Sequence, residues 1–272
     1  MASQHKRLGS WTLAVFLCVH ISLSIGAVQA EERFDYGGYP NGPDYWGKLD
    51  SPKNIDCSDG KHQSPMMITP NIMVSNSSLG NLDAHYSKEP VDATIKINEG
   101  YGVELTLNDS TSTLQIDGTT YRPAQMHFHM GSEHKLLGHS FPMELHIVHV
   151  KKNEDGVVTH RAVVAFLFAK GKHDNPFLAQ FVDKLPLADS FGEDPMTIDP
   201  ITYPKLQKSY ARYQGSLTTP PCSEGITWTV MLWDFPTISE RQLELFKAAM
   251  PTANARPLQN CHERKLEIHT DS

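Results

Sequence analysis

The chain has 272 residues, 39% of them apolar and 20% charged. This mixture is typical of a folded globular protein and excludes a disordered or collagen-like chain. The formal charge is −7, from 31 acidic and 24 basic residues, so the sequence lacks the basic surface expected of a nucleic-acid-binding protein. Histidine is concentrated in one place, because six of the 14 histidines lie between positions 127 and 149. Chemistry is therefore expected there.

The first thirty residues have the pattern of a secretory signal peptide. Lys6 and Arg7 precede an apolar stretch of 15 residues, Trp11–Ile25, and small residues lead to Ala30. A membrane span needs about 20 apolar residues, and this stretch is shorter and interrupted by polar side chains. We therefore predict cleavage after Ala30, a mature domain over 31–272, and a secreted protein. The polar C-terminus predicts neither a membrane anchor nor a lipid anchor.

Two sequons and the cysteine count agree with export. Asn76 and Asn108 each begin an Asn-X-Ser sequence in polar surroundings, which makes them candidates for glycosylation. Removal of the signal peptide leaves Cys57, Cys222 and Cys261, an odd number. One disulfide is expected, with three pairings open, and the third thiol would be free or join two chains.

The mature chain alternates short strand-like runs with turn signals, and no repeat or linker divides it. The predicted strands, in chain order, are Thr94–Asn98, Gly102–Leu107, Thr113–Ile116, Ala124–His129, Met143–Val150, Ala162–Phe168 and Ile226–Leu232. One single, mainly β domain is therefore expected, built on a large, mostly antiparallel sheet with short helices.

Two helices are predicted. The stronger runs over Glu240–Met250, where Ser239 and Gln242 form a capping box and Pro251 ends the helix. A shorter helix is predicted from Asn175 to about residue 184.

The spacing His127-Phe128-His129 places both imidazoles on one face only if the segment is a strand, because alternate residues of a strand share a face. Gln125 shares that face. A second predicted strand carries Glu144, His146 and Val148 on one face. If the two strands pair, His127, His129 and His146 converge, and three neutral nitrogens with an open fourth position are typical of a catalytic zinc site.

The same pattern predicts the groups that orient these ligands. A metal-bound histidine usually donates its other N–H to an acceptor. Gln125 lies two residues before His127, and Glu144 two residues before His146, on the matching faces. Among the other histidines, His134 and His149 are interpreted as core residues and His139 as a turn residue.

Several segments together resemble the signature blocks of the alpha-class carbonic anhydrases. They are QMHFHMGSEH (125–134), ELHIVH (144–149), GSLTTPPC (215–222), ITW (226–228) and, in addition, Asn41-Gly42-Pro43 with Trp46, Gln63-Ser64-Pro65, and Asn254 with Arg256-Pro257. The resemblance spans essentially the mature chain. It implies a single domain with zinc at the base of a conical cleft, and reversible hydration of carbon dioxide to bicarbonate and a proton by zinc-bound hydroxide.

The resemblance also implies roles for individual residues. His127, His129 and His146 match the zinc ligands, Thr218 the hydroxyl that orients the nucleophile, and Glu133 the carboxylate that accepts from it. The substrate pocket is matched by a mostly apolar set: Val148, Val163, Leu217, Thr218, Thr219 and Trp228. Cys57 and Cys222 match the pair that is bridged in extracellular members. Tyr101 stands where fast members carry a proton-shuttling histidine, which puts a high turnover rate in doubt because an ordinary tyrosine titrates near 10.

Other functions stay open at this point. The chain could be a secreted binding, storage or matrix protein that has kept the fold without strong activity, because fold does not establish function. Hydrolysis of activated esters by the same zinc centre is a further candidate, as a side activity. The expected partners are CO2 and bicarbonate, with no nucleic acid, and the chain is expected to be a monomer or a homodimer linked through Cys261.

Overall fold

The structure is a computed structural model that describes residues 33–98, 100, 102–188, 196–250 and 252–270. Within these residues strands predominate over helices. The strands are β1 (Met67–Ile68), β2 (Met73–Ser75), β3 (Ala84–His85), β4 (Asp92–Asn98), β5 (Gly102–Asn108), β6 (Thr113–Ile116), β7 (Thr119–Met130), β8 (Lys135–Leu136), β9 (Met143–Lys152), β10 (Val158–Gly171), β11 (Met196–Thr197), β12 (Ser209–Ser216), β13 (Glu224–Leu232), β14 (Thr237–Ser239) and β15 (Leu266–His269).

The helices are short. Two are α-helical, α1 (Asp56–Asp59) and α2 (Glu240–Ala249). The described residues also form four 3₁₀ helices, a six-residue one at Pro43–Lys48 and three single turns at Ser77–Leu79, Leu178–Gln180 and Val182–Lys184. Among the described residues, no helix combines the length and the apolarity needed to cross a membrane.

One large sheet organises the described part of the chain. Its main path runs β11-β4-β5-β7-β9-β10-β13-β12-β15-β2. Most neighbours are antiparallel, as predicted, but β10 pairs with β13 in parallel, and so does β15 with β2. The sheet is therefore mixed, with its longest strands in the middle.

Both faces of the sheet are covered by apolar side chains. Met126 and Phe128 of β7 point into one cluster together with Leu145 and Ile147 of β9. The opposite face carries a second cluster that includes Trp228. The central strands are thus protected from water on both sides, which places polar side chains of the second face in a dry environment.

The predicted strands are all present, and several are longer than predicted. Helix α2 has the predicted capping box, in which the Ser239 hydroxyl accepts from the Gln242 backbone N–H and the Gln242 side chain accepts from the Ser239 backbone N–H. Helix α2 ends at Ala249, and Pro251 lies outside the described residues.

The prediction of a helix from Asn175 to about residue 184 is wrong. The segment forms two 3₁₀ turns separated at Phe181, whose φ of −142° is not helical. The Phe181 ring is buried and lies 5.8 Å from the Phe128 ring and 5.4 Å from the Phe177 ring. Packing of this ring into the core therefore prevails over local helix propensity.

Candidate metal centre

The register of β7 and β9 brings the three predicted histidines together. His127 pairs with His146, and His129 pairs with Glu144, in an antiparallel ladder. The Nδ1 atom of His146 lies 3.1 Å from Nε2 of His129 and 3.2 Å from Nε2 of His127. All three side chains are buried. The strand pairing inferred from the HxH spacing is therefore present.

Each histidine directs its other nitrogen at an oxygen acceptor. His127 Nδ1 donates to Gln125 Oε1 at 2.9 Å, and His146 Nε2 donates to Glu144 Oε1 at 2.7 Å, as the spacing predicts. His129 Nδ1 donates to the backbone carbonyl of Asn254 at 2.7 Å. Because these nitrogens carry the hydrogens, the three nitrogens that face one another present lone pairs.

The Asn254 acceptor escapes prediction because it is a backbone atom 125 residues away in the chain. The Asn254 side chain also holds β7 on both sides of His129. Its amide nitrogen donates to the Phe128 carbonyl and its oxygen accepts from the Met130 N–H, each at 2.7 Å. The only sequence signal for Asn254 is its part in the family resemblance.

Glu133 adds a carboxylate to the same place. Its Oε1 accepts from the Arg256 backbone N–H at 2.8 Å. Its Oε2 is buried, lies 3.5 Å from His129 Nε2 and 4.0 Å from His146 Nδ1, and has no hydrogen-bond partner. Burial, together with the nearby Glu144, raises the pKa of Glu133 well above its usual range, and the neighbouring Thr218 hydroxyl offsets this only in part. The implied hydrogen bond from Thr218 to Oε2 is not formed in the structure.

The electrostatics of the cluster call for a cation. Burial, together with the neighbouring histidines, lowers the pKa of His127 well below its usual range and that of His129 to about 3. Burial likewise lowers the pKa of His146. The imidazoles are thus neutral, and their three inward lone pairs converge without a hydrogen-bond donor among them. Such a set is costly unless a metal ion binds to it.

The spacing of the nitrogens suits zinc. A tetrahedral ion bound at about 2.05 Å separates its nitrogen ligands by roughly 3.3 Å. The observed separations are 3.1 and 3.2 Å. The described residues contain the donor set, three histidines, that the zinc prediction requires.

Glu144 links the cluster to a further buried histidine. Its Oε1 also accepts from His134 Nδ1 at 2.7 Å, and its Oε2 from the His134 backbone N–H at 2.8 Å. Burial alone would raise the pKa of Glu144, but His134 and His146 outweigh it and hold that pKa well below its usual range. His134 Nε2 in turn contacts the Tyr213 hydroxyl at 2.7 Å. His134 is thus a buried, hydrogen-bonded core residue, as predicted.

The predicted substrate-pocket residues lie beside His146. Val163 of β10 pairs with Val148 of β9 and with Trp228 of β13, so the three form a row across adjacent strands. Leu217 packs against the same apolar cluster. The Trp228 ring lies 4.8 Å from the His146 ring. Thr219, next to Thr218, is half-buried.

The remaining predicted sites divide into described and undescribed ones. Cys57 and Cys222 form a disulfide, and Cys261 is a half-buried free thiol. Asn108 is exposed, whereas Asn76 is half-buried and donates to Glu267 Oε1 at 2.7 Å. Tyr101 and the predicted signal peptide lie outside the described residues.

The other two histidines of the 127–149 segment are placed as predicted. His139 is exposed in the turn after β8. His149 is buried on the opposite face of β9. Its Nδ1 donates to the Ile147 carbonyl at 2.9 Å, and its Nε2 accepts from the Tyr86 hydroxyl at 2.8 Å.

The burial of His149 is expected to make the protein less stable in acid. Burial lowers its pKa to about 4, whereas an unfolded histidine titrates near 6.5. The contribution of neutral His149 to the free energy of unfolding is therefore fully present above about pH 6.5. It is lost progressively as the pH falls to about 4, and the loss amounts to roughly 3 kcal/mol. His149→Gln keeps an acceptor for Tyr86 and should unfold in urea with a correspondingly shallower pH dependence. His139→Gln serves as the exposed control, and equal slopes for all three proteins would contradict the assignment.

The fold is that of a mainly β protein, and its three buried histidines form the ligand set of a candidate catalytic metal site. The chain matches the model of the eukaryotic-type carbonic anhydrase family over residues 41–270 and belongs to that family. It is 35% identical over 266 residues to dioscorin DB3S of Dioscorea polystachya, which covers 95% of each chain. It is 34% identical over 270 residues to alpha carbonic anhydrase 5 of Arabidopsis thaliana, which covers 94% of each chain.

Among solved structures, the fold is similar to the alpha-carbonic anhydrase from Thermovibrio ammonificans in complex with the inhibitor sulfanilamide. The TM-score is 0.74 and the identity 31%, over 86% of this chain and 98% of that chain. Relatives thus carry two kinds of name, dioscorin and carbonic anhydrase, so family membership alone leaves the activity of this chain to be argued from its site.

Proposed function

We propose that this chain is a zinc-dependent carbonic anhydrase that catalyses the reversible hydration of carbon dioxide to bicarbonate and a proton. The convergence of three imidazole lone pairs at 3.1–3.2 Å carries this proposal. Family membership supports the same activity. His127 and His129 would hold the ion through Nε2, and His146 through Nδ1.

When bound, zinc acts as a Lewis acid that makes a water molecule nucleophilic near neutral pH. The protein contributes the geometry. Gln125, Glu144 and the Asn254 carbonyl keep the outward nitrogens protonated, so that the inward ones remain available as ligands.

Thr218 and Glu133 would orient the nucleophile. A hydroxyl has one hydrogen to donate, and if Thr218 donates it to Glu133, Thr218 can only accept from the attacking water. The water then turns a lone pair towards the carbon of the substrate. Because Glu133 Oε2 has no hydrogen-bond partner, it is available to receive this donation.

The apolar row beside His146 suits an uncharged substrate. Val148, Val163, Leu217 and Trp228 present hydrocarbon surface and lack a charged group. Carbon dioxide loses little hydration free energy when it lies against such an apolar wall, whereas charged bicarbonate is poorly solvated there and leaves readily. The pocket therefore favours release of the charged product.

The proton produced by hydration must leave the site. Tyr101 is proposed at the shuttle position from the family resemblance. A tyrosine of ordinary pKa accepts protons poorly near pH 7. We therefore propose that buffer molecules carry much of the proton transfer in this protein.

The N-terminal residues 1–30 are proposed as a signal peptide, with a secreted domain over 31–272 that is glycosylated at Asn76 and Asn108. This domain would act as a monomer or as a homodimer linked through Cys261.

Removal and return of zinc test the proposed activity. The purified chain is expected to hold one zinc ion and to hydrate CO2 in a stopped-flow assay. Dialysis against dipicolinate should abolish both, and stoichiometric zinc should restore both. A zinc-loaded protein that does not hydrate CO2 would contradict the proposal and favour a binding, storage or matrix role. Hydrolysis of 4-nitrophenyl acetate without CO2 hydration would favour an esterase instead.

A further inference from the structure

A cavity lies away from the candidate metal centre. Its volume is about 570 Å³, within the range of small-molecule sites, and its walls come from β12, β15 and the segments around residues 76–83 and 115–117. None of its lining residues is a candidate metal ligand or a residue of the apolar row beside His146.

A buried arginine opens into this cavity. Arg212 is only 8% exposed, and its guanidinium lies over the Tyr210 ring, 5.1 Å from the ring centroid. Its Nε donates to Thr229 Oγ1 at 2.9 Å. No carboxylate in the described ranges comes within 4.0 Å of the guanidinium, and its terminal nitrogens donate to no described side chain or carbonyl. These terminal nitrogens are accessible from the cavity, so they are available to a ligand.

The charges around Arg212 balance one another. Asp117 and Glu267 lie near enough to stabilise the guanidinium charge, and Asp83 also lines the cavity. These three carboxylates are balanced by three cations of the lining, Arg212, Arg264 and Lys265. The lining therefore has no net formal charge and offers an anion no net attraction, which suits a neutral ligand.

The lining also has both kinds of hydrogen-bonding group. The Arg212 guanidinium donates, the Asp117 and Glu267 carboxylates accept, and the amides of Gln115 and Gln214 do both. A hydroxyl group can accept from the guanidinium and donate to a carboxylate at the same time. A ring with adjacent hydroxyls can form several such pairs of hydrogen bonds.

We propose that this cavity binds a neutral saccharide, with the Arg212 terminal nitrogens as donors and Asp117 and Glu267 as acceptors. The saccharide has two sources. Asn76 lines the cavity and begins a sequon, so the first sugars of an Asn76-linked glycan can reach it. A free oligosaccharide is the other source. The proposal is independent of the carbonic anhydrase activity.

The experiment titrates N,N′-diacetylchitobiose into the full chain by calorimetry and saturation-transfer NMR. Ser78→Ala removes the sequon and keeps Asn76, so this background lacks a glycan at that position. We expect the disaccharide to bind saturably to the Ser78→Ala protein. Addition of Arg212→Met or of Asp117→Asn should weaken binding at least about tenfold, because the first removes the donors and the second replaces a charged acceptor oxygen with an NH2 donor. Asp155→Asn is the matched control, since both aspartates are exposed and precede a glycine, but Asp155 lies outside the cavity.

The outcomes separate the sources. Binding to the Ser78→Ala protein but not to the glycosylated chain supports occupation by the protein's own glycan, and equal binding to both supports a free oligosaccharide. Absence of binding to the Ser78→Ala protein overturns the proposal. Tighter binding of glucuronate or inorganic phosphate than of the disaccharide also overturns the proposal. Undiminished binding of the disaccharide by the Asp117→Asn variant does so too, and this variant supplies the test if Arg212→Met does not fold. CO2 hydration is measured in parallel and should be unchanged in every variant.

Discussion

Replacement of His146 by alanine is expected to reduce bound zinc from one per chain to less than about a tenth, and CO2 hydration to below about 1% of wild type. The physical reason is that two nitrogen ligands remain where a catalytic zinc site needs three. The measurements are metal analysis by mass spectrometry and stopped-flow hydration.

The fold should survive this substitution. Glu144 loses the His146 Nε2 donor but keeps two hydrogen bonds from His134, at 2.7 and 2.8 Å, so its buried carboxylate stays partnered. His139→Ala is the matched control, because His139 is in the same segment but exposed. A folded His146→Ala protein that retained zinc and full activity would refute the assigned ligand set.

The largest effect on stability is expected from the disulfide. The Cys57–Cys222 bridge closes a loop with a sequence separation of 165 residues. In the loop-entropy model such a bridge contributes roughly 5 kcal/mol by restricting the unfolded chain. The Cys57→Ser/Cys222→Ser double variant should therefore lose up to this amount of its free energy of unfolding, measured in urea without reductant.

The bridged segments also have other links that should persist in that variant. Gln63 Nε2 donates to the Cys222 carbonyl at 3.0 Å, and an Arg256 terminal nitrogen donates to the Cys57 carbonyl at 3.2 Å. The variant is thus expected to fold and to bind zinc at low temperature. Cys261→Ser is the control, with little expected change, and it also tests the linked dimer on a non-reducing gel. A loss below about 1 kcal/mol in the double variant would show that the bridge does not act through the unfolded chain.

Local sequence pattern is sufficient to predict much of the candidate metal centre. Because side chains alternate across a strand, the positions of His127, His129 and His146 follow once two strands pair. Their acceptors Gln125 and Glu144 follow from the same alternation, being two residues away on the same strand. The capping box of α2 is equally local, since Ser239 and Gln242 are three residues apart. Each of these features depends on residues that are close together in the sequence.

The tertiary structure decided the features that join distant segments. The acceptor for His129 is a backbone carbonyl 125 residues along the chain, and a backbone atom leaves no residue-specific signal. The interruption at Phe181 depends on rings of other elements, which override the local helix preference. The cavity around Arg212 exists only because strands and loops far apart in sequence enclose it. Periodicity thus determined which side chains share a face, whereas long-range packing decided what each face meets, because contacts between distant segments are set by the whole core and not by any one stretch of sequence.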